Sequence, residues 1–160
     1  MLATRIMAGN PVTTRPDARV AEALKVMREK SYRMLPVVDG EGRVLGVFST
    51  FSIIEHIVPE YIVSGDLISV PYAPDIGILR SKYPTVMAMK VEQAMTKPLL
   101  VAEDESLLSI AASMVNFGRH EYALVVDKER HLLGTISAGD MLDRLRELGL
   151  DELTGESADG

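Results

Sequence analysis

The stretch VVDGEGRVLGVFSTFSII, residues 37 to 54, has a second copy in the same chain, VVDKERHLLGTISAGDML, residues 125 to 142. The two align without a gap at an offset of 88 residues, and self-similarity at a fixed offset marks a structural unit written twice. In each copy two apolar runs flank a short turn that begins with Asp, the pattern of a β-hairpin. A hydroxyl then opens a helical pattern, at Ser49 or Thr50 in the first copy and at Ser137 in the second. Extended backwards with one single-residue gap, the match pairs Met7 with Met95, Pro11 with Pro98, and the helical run beginning near Val20 with that beginning near Leu107.

Each half therefore reads in the order strand, helix, strand, strand, helix, an α/β (α+β) arrangement. In the first, Val20, Ala23, Leu24 and Met27 share one helical face, with Arg19, Glu22, Lys25 and Glu29 largely opposite. In the second, Ser106 is the expected N-cap and Leu107, Ile110, Ala111 and Met114 face inward. A three-stranded sheet of about fifty residues with helices on one face leaves apolar surface uncovered, whereas two such units can share a core. The expected boundaries are a first repeat at 1–57, a partly helical linker at 58–89 with a short helix over Ile76 to Tyr83, a second repeat at 90–150, and a flexible acidic tail at 151–160.

Composition removes several function classes. With 23 acidic and 17 basic residues the net charge is −6, which gives no general electrostatic reason to seek nucleic acid or anionic membranes. The absence of cysteine excludes disulfides, zinc thiolate sites and thiol catalysis. The N-terminus lacks the pattern of a signal peptide, and no uncharged run approaches the roughly 18 residues of a membrane span, so the expected location is the cytoplasm. His56, His120 and His131 are scattered without metal-ligand spacing. No G-x-S-x-G, P-loop or dinucleotide fingerprint occurs, so no catalytic residue, metal site or catalytic cofactor is expected and the protein is read as a non-enzyme.

Ser137 and Asp140 stand three apart at the start of the last helix, and two readings fit that spacing. One is a capping box, in which each side chain bonds the other residue's backbone N–H. The other is a ribose phosphate site, in which a hydroxyl and a carboxylate sit beside the free N–H groups of a helix start. One residue pair can serve both.

These stretches, together with IMAGNPVTT and AMTKPLLVAED at the head of each half, resemble tandem CBS domains, the paired regulatory modules called Bateman modules. The resemblance covers roughly residues 5 to 57 and 90 to 148. It implies two pseudo-twofold-related β-α-β-β-α repeats, pairing of modules into a homodimer, and up to two clefts for adenosine-containing ligands such as AMP, ADP, ATP or S-adenosylmethionine. In the family pattern an Asp at the start of the last helix holds the ribose hydroxyls, the preceding hydroxyl and N–H groups face phosphate, and the leading strand of the opposite half flanks adenine.

Carried across residue by residue, the resemblance implies a preferred cleft with Ser137, Ala138 and Asp140, joined by Asn10, Val12, Tyr32 and Arg33. It implies a second, weaker cleft with Ser49, Thr50 and Ser52, joined by Leu99 and His120. Ser52 stands where the family pattern has its ribose Asp, so one short hydroxyl replaces a charged acceptor, and charge-assisted hydrogen bonds are worth roughly twice neutral ones. Glu121 is a second departure, an acid where nucleotide-binding members often carry a base. The function expected is a regulatory module that binds an adenosine-containing ligand and signals to an effector protein; the alternative is a dimerising interaction module that binds no nucleotide.

Overall fold

The structure, a computed structural model, describes residues 1–65, 75–116 and 120–158, without the side chains of 75 and 150–158. The chain divides into two compact units, Val12–Lys97 and a second built from Met1–Pro11 with Pro98–Gly160. The order of elements is α1 (Ala3–Ile6), β1 (Ala8–Gly9), α2 (Val20–Lys30), β2 (Met34–Val38), β3 (Val44–Ser49), α3 (Thr50–Ile57), α4 (Glu60–Val63), α5 (Asp75–Ala88), α6 (Val91–Ala94), β4 (Leu100–Ala102), α7 (Leu107–Asn116), β5 (Tyr122–Val126), β6 (Leu132–Ser137) and α8 (Ala138–Ala158). It is the mixed α/β fold of two repeats that the sequence predicts.

Both hairpins form where the repeats place them. β2 pairs antiparallel with β3 and β5 with β6, with register irregularities at matching positions, between Val37 and Val38 and between Val125 and Val126. Each turn is held by its leading Asp. Asp39 Oδ1 accepts the N–H groups of Glu41 and Arg43 at 2.8 and 3.0 Å, and Asp127 Oδ1 accepts those of Glu129 and His131 at 2.9 and 2.8 Å, the local bonding that makes Asp a turn residue.

The sheets depart from three strands per half. One is four-stranded in the order β1-β6-β5-β4 and the other contains β2 and β3. The difference arises because each leading segment is divided between the halves. Ala8 and Gly9 pair with Thr135 and Gly134 of the second half, while Thr14 bridges Val37 of its own half in parallel. In the same way Thr96 bridges Val47 of the first half, and β4 pairs in parallel with β5. The compact units are thus the repeats with their first residues exchanged.

Two glycines permit the exchange. A Cβ on Gly134 would stand 2.7 Å from the Ala8 carbonyl oxygen and 2.7 Å from the Met7 sulfur. A Cβ on Gly46 would stand 2.7 Å from the Met95 sulfur and 3.1 Å from the Thr96 carbonyl oxygen. The exchanged strand and its methionine lie directly over a glycine in both units, a close backbone approach that only the missing side chain allows.

The helices bury the faces their periodicity marks. Val20, Ala23 and Met27 of α2 join Leu35, Val37 and Phe48 in one core, and Ile110 and Met114 of α7 join Val101, Val125 and Ile136 in the other. Ser106 caps α7 as expected, its Oγ accepting the Ser109 N–H at 3.2 Å. The helix expected over 76 to 83 is α5, which continues to Ala88 and contains Pro84; the linker residues 66–74 lie outside the described residues. α8 continues past residue 150, so the backbone is helical through 158, where composition marks a tail; residues 159 and 160 of that tail lie outside the described residues.

Candidate functional site

The two helix starts that follow β3 and β6 differ in chemistry. In the second half the Asp140 N–H donates to Ser137 Oγ at 2.9 Å and the Ser137 N–H donates to Asp140 Oδ2 at 3.3 Å, a reciprocal capping box. Ala138 opens α8, and its N–H donates to the Glu121 carbonyl at 2.8 Å, which ties the helix start to the beginning of β5. Asp140 and Ala138 are exposed and Ser137 is half-buried. Among the described residues Oδ1 of Asp140 accepts no hydrogen bond, so the carboxylate caps the helix with one oxygen and presents the other.

In the first half the same box is built from two serines. The Ser52 N–H donates to Ser49 Oγ and the Ser49 N–H to Ser52 Oγ, each at 3.2 Å, and the two hydroxyls are 3.1 Å apart. Ser52 is only 1% exposed. Its hydroxyl is spent inside the box and no carboxylate is present. Thr50 is exposed, and its N–H donates to the Arg33 carbonyl at 3.4 Å.

Asp140 borders a concavity of about 300 Å³ lined by Arg5, Ile6, Ala8, Asp143, Arg144 and Glu147. Arg144 pairs with Glu147 at 3.2 Å, and its Nε is buried with no hydrogen-bond partner among the described residues. Sequence reasoning missed Arg5, Ile6 and Ala8, because they reach Asp140 only through the exchange of residues 1 to 11 into the second half. Arg144 was missed as well, and its i, i+4 spacing from Asp140 is the signal that could have found it.

The other expected residues divide between the units. Asn10 follows β1 in the unit of Asp140, exposed and at φ +51°, a left-handed conformation that Asn tolerates. Val12, Tyr32 and Arg33 lie in the unit of Ser49, Thr50 and Ser52. Val12 packs on that unit's core, Tyr32 is 44% exposed with its N–H donating to Met27, and Arg33 is exposed. Leu99 is buried in the core of the unit of Asp140, its carbonyl accepting the Leu124 N–H at 2.8 Å. His120 is half-buried there, its N–H donating to Met114 at 3.0 Å.

One ionisable group close to the second hairpin has a displaced titration. Desolvation raises the Asp127 carboxyl, but hydrogen bonds from the His131 backbone, the His131 ring and the Glu129 backbone, with the charge of His131, outweigh it and hold the group below the ordinary carboxylate value. The His131 ring nitrogen lies 2.9 Å from Asp127 Oδ2. This is turn chemistry. Among the described residues no group of three or more His, Asp or Glu is arranged to hold a metal ion, and no helix is long and apolar enough to cross a membrane.

Comparison with known proteins places this fold. The chain is 25% identical over 144 residues to the uncharacterised protein MJ1426 of Methanocaldococcus jannaschii, covering 84% of this chain and 86% of that protein. It is 28% identical over 142 residues to inosine-5'-monophosphate dehydrogenase of the same organism, where the match spans 89% of this chain but 23% of the enzyme. Among solved structures it is similar to a CBS domain-containing protein of unknown function from Bacillus anthracis, with a TM-score of 0.72 and 17% identity over 92% of this chain and 94% of that one. It is also similar to CBSX2 in complex with AMP, with a TM-score of 0.70 and 20% identity over 92% of this chain and 98% of that one. The CBS domain pair of protein MJ0100, in complex with 5'-methylthioadenosine and S-adenosyl-L-methionine, gives a TM-score of 0.66 and 20% identity over 92% of this chain and 96% of that one. The family model for the CBS domain matches twice, at residues 3–59 and 91–147, one match on each half of the duplication, and the chain belongs to the CBS-domain family as a tandem pair.

Proposed function

We propose that this CBS pair is a regulatory module that binds one adenosine-containing ligand, of the class of AMP, ADP, ATP or S-adenosylmethionine, at the helix start that carries Asp140. The observation that carries the reading is the contrast between Asp140, exposed with one carboxylate oxygen unused, and Ser52, buried with its hydroxyl consumed. A carboxylate oxygen can accept from ribose hydroxyls, whereas the Ser52 hydroxyl is already committed. The presence of AMP, S-adenosylmethionine and methylthioadenosine in structures of similar fold supports the ligand class.

Signalling to an effector protein needs unequal ligand affinity for two arrangements of the module. A homodimer belongs to the same proposal, supported by exposed apolar residues on α7 (Leu108 and Val115) and α8 (Leu142 and Leu145). The alternative, a dimerising module without a nucleotide, is favoured by the closed serine box of the first half and by the acid at Glu121.

Isothermal titration of the full chain with AMP, ADP, ATP and S-adenosylmethionine tests the proposal. The expected result is one site per chain, weakened at least about tenfold by Asp140→Asn, which keeps a capping oxygen while removing the charge. Ser52→Ala is expected to leave affinity within about twofold. Equal weakening by both variants overturns the assignment, and no binding by any of the four ligands overturns the ligand-binding reading.

A further inference from the structure

At the carboxyl ends of the parallel pair β4 and β5 lies a cavity of about 550 Å³, within the unit of Met1–Pro11 and residues 98–160. Its floor is apolar, from Leu2, Leu100 and Val126, and its rim carries Glu103, Asp104 and Asp127 with one base, Lys128. The volume lies in the range of small-ligand pockets.

The other unit contains the corresponding position, and there a side chain of the chain itself is present. The parallel bridge of Thr14 with Val37 matches the pairing of Val101 with Val125, so the next residues, Arg15 and Ala102, correspond. Arg15 extends its guanidinium to 3.8 Å from the point where a Cβ on Gly40 would stand. Gly40 corresponds to Lys128 at the offset of 88. In one copy of the repeat a long basic side chain, exposed to solvent, thus runs from the end of one strand to the turn after its partner, and in the other the same two positions, Ala102 and Lys128, border a cavity.

The charge of the rim points the same way. Asp127 is engaged by its own turn and by His131. Glu103 and Asp104 are exposed and form no ion pair among the described residues. An apolar floor under two such acids fits a side chain with an apolar stem and a cationic head.

We propose that this cavity receives an arginine side chain of a partner protein, which occupies the place that Arg15 takes in the other unit. The site is separate from Asp140 and does not depend on the ligand reading. Two-dimensional amide NMR of the full chain, titrated with N-acetyl-arginine amide and with the uncharged isostere N-acetyl-citrulline amide, tests it. The expected result is saturable shifts at Ala102, Glu103, Asp104 and Val126 with the arginine probe, at least about fivefold weaker with citrulline, in line with the loss of one charge-assisted contact.

Ala102→Arg is expected to abolish the response by filling the cavity from within, and Asp104→Asn to weaken it. Ala102→Leu, which fills the floor without a charge, is expected to block the probe as well and covers the case in which Ala102→Arg does not fold. Equal response to citrulline, a response that survives filling by either variant, or no response at about 20 mM probe overturns the proposal, since one exposed charge pair with an apolar stem supports a Kd in the millimolar range. A parallel titration with AMP reads the Asp140 site separately.

Discussion

The two helix starts stand at equivalent positions of the repeat and are completed differently. Both are reciprocal capping boxes with N–H to side-chain distances between 2.9 and 3.3 Å. Two serines close the first box on itself; a serine and an aspartate close the second while leaving a charged oxygen at the surface. Helix capping is therefore a requirement common to both halves, met with or without an acid, and the acid at 140 exceeds what capping demands. The capping and ligand readings of Ser137 and Asp140 are compatible, and the comparison with Ser49 and Ser52 separates their contributions.

The sharpest way to break this comparison is Ser52→Asp, which gives the first box the acid of the second. Ser52 is buried, so the carboxylate would lose its water, and a buried charge left uncompensated costs about 3 to 5 kcal/mol. Urea unfolding at neutral pH is expected to show a loss of that order and no new nucleotide site; a stable variant with a second site would mean that the first half is closed by its side chain and not by its packing.

Next in size is the pair of glycines beneath the exchanged strands. Gly134→Ala is expected to cost about 2 to 3 kcal/mol, because the added Cβ meets the Ala8 backbone oxygen as well as the Met7 sulfur. Gly46→Ala is expected to cost less, roughly 1 to 2 kcal/mol, because its closest obstacle is the Met95 side chain, which can turn aside. Denaturant midpoints of the two variants check the order, and its reversal would show that the second exchange is the tighter one.

A smaller difference separates the hairpin turns. Gly42 at φ +82° and Arg130 at φ +72° occupy equivalent left-handed positions. Gly42→Ala is expected to cost about 1 kcal/mol from backbone strain alone, since an added Cβ there meets nothing within 4 Å among the described residues. Thermal unfolding of the variant measures it.

The smallest expected effect is on the acid side. The Asp127 carboxyl is held below its ordinary value in the folded chain, so the unfolded chain takes up its proton first as the pH falls. The stability this contributes is fully present above the unfolded value near 4 and is lost as pH drops through the folded value. Asp127→Asn is expected to flatten the stability profile below about pH 4, measured by urea midpoints from neutral to acid pH.

The hairpins, the helix faces, the Ser106 cap and the Ser137–Asp140 capping pair were legible in the sequence because they rest on contacts a few residues apart. Periodicity marked Val20, Ala23 and Met27, and the turn chemistry of Asp39 and Asp127 needed only its own loop. The fate of IMAGNPVTT was not legible. Ala8 and Gly9 satisfy a strand edge equally well in either half by pattern, and only the packed chain shows them on β6. Arg5 and Ile6 were missed beside Asp140 for that reason.

By itself, then, the sequence determined the duplication, the order of elements in each half and the chemical inequality of Ser52 and Asp140, because these depend on residue identity and short-range periodicity. Tertiary structure alone decided that the halves exchange their first strands, that Ser52 is sealed while Asp140 is exposed, and that Ala102 borders a cavity at the ends of β4 and β5. Burial and strand partnership depend on contacts between residues more than a hundred positions apart, such as Ala8 with Thr135, and no local pattern encodes which partner a short edge strand will choose.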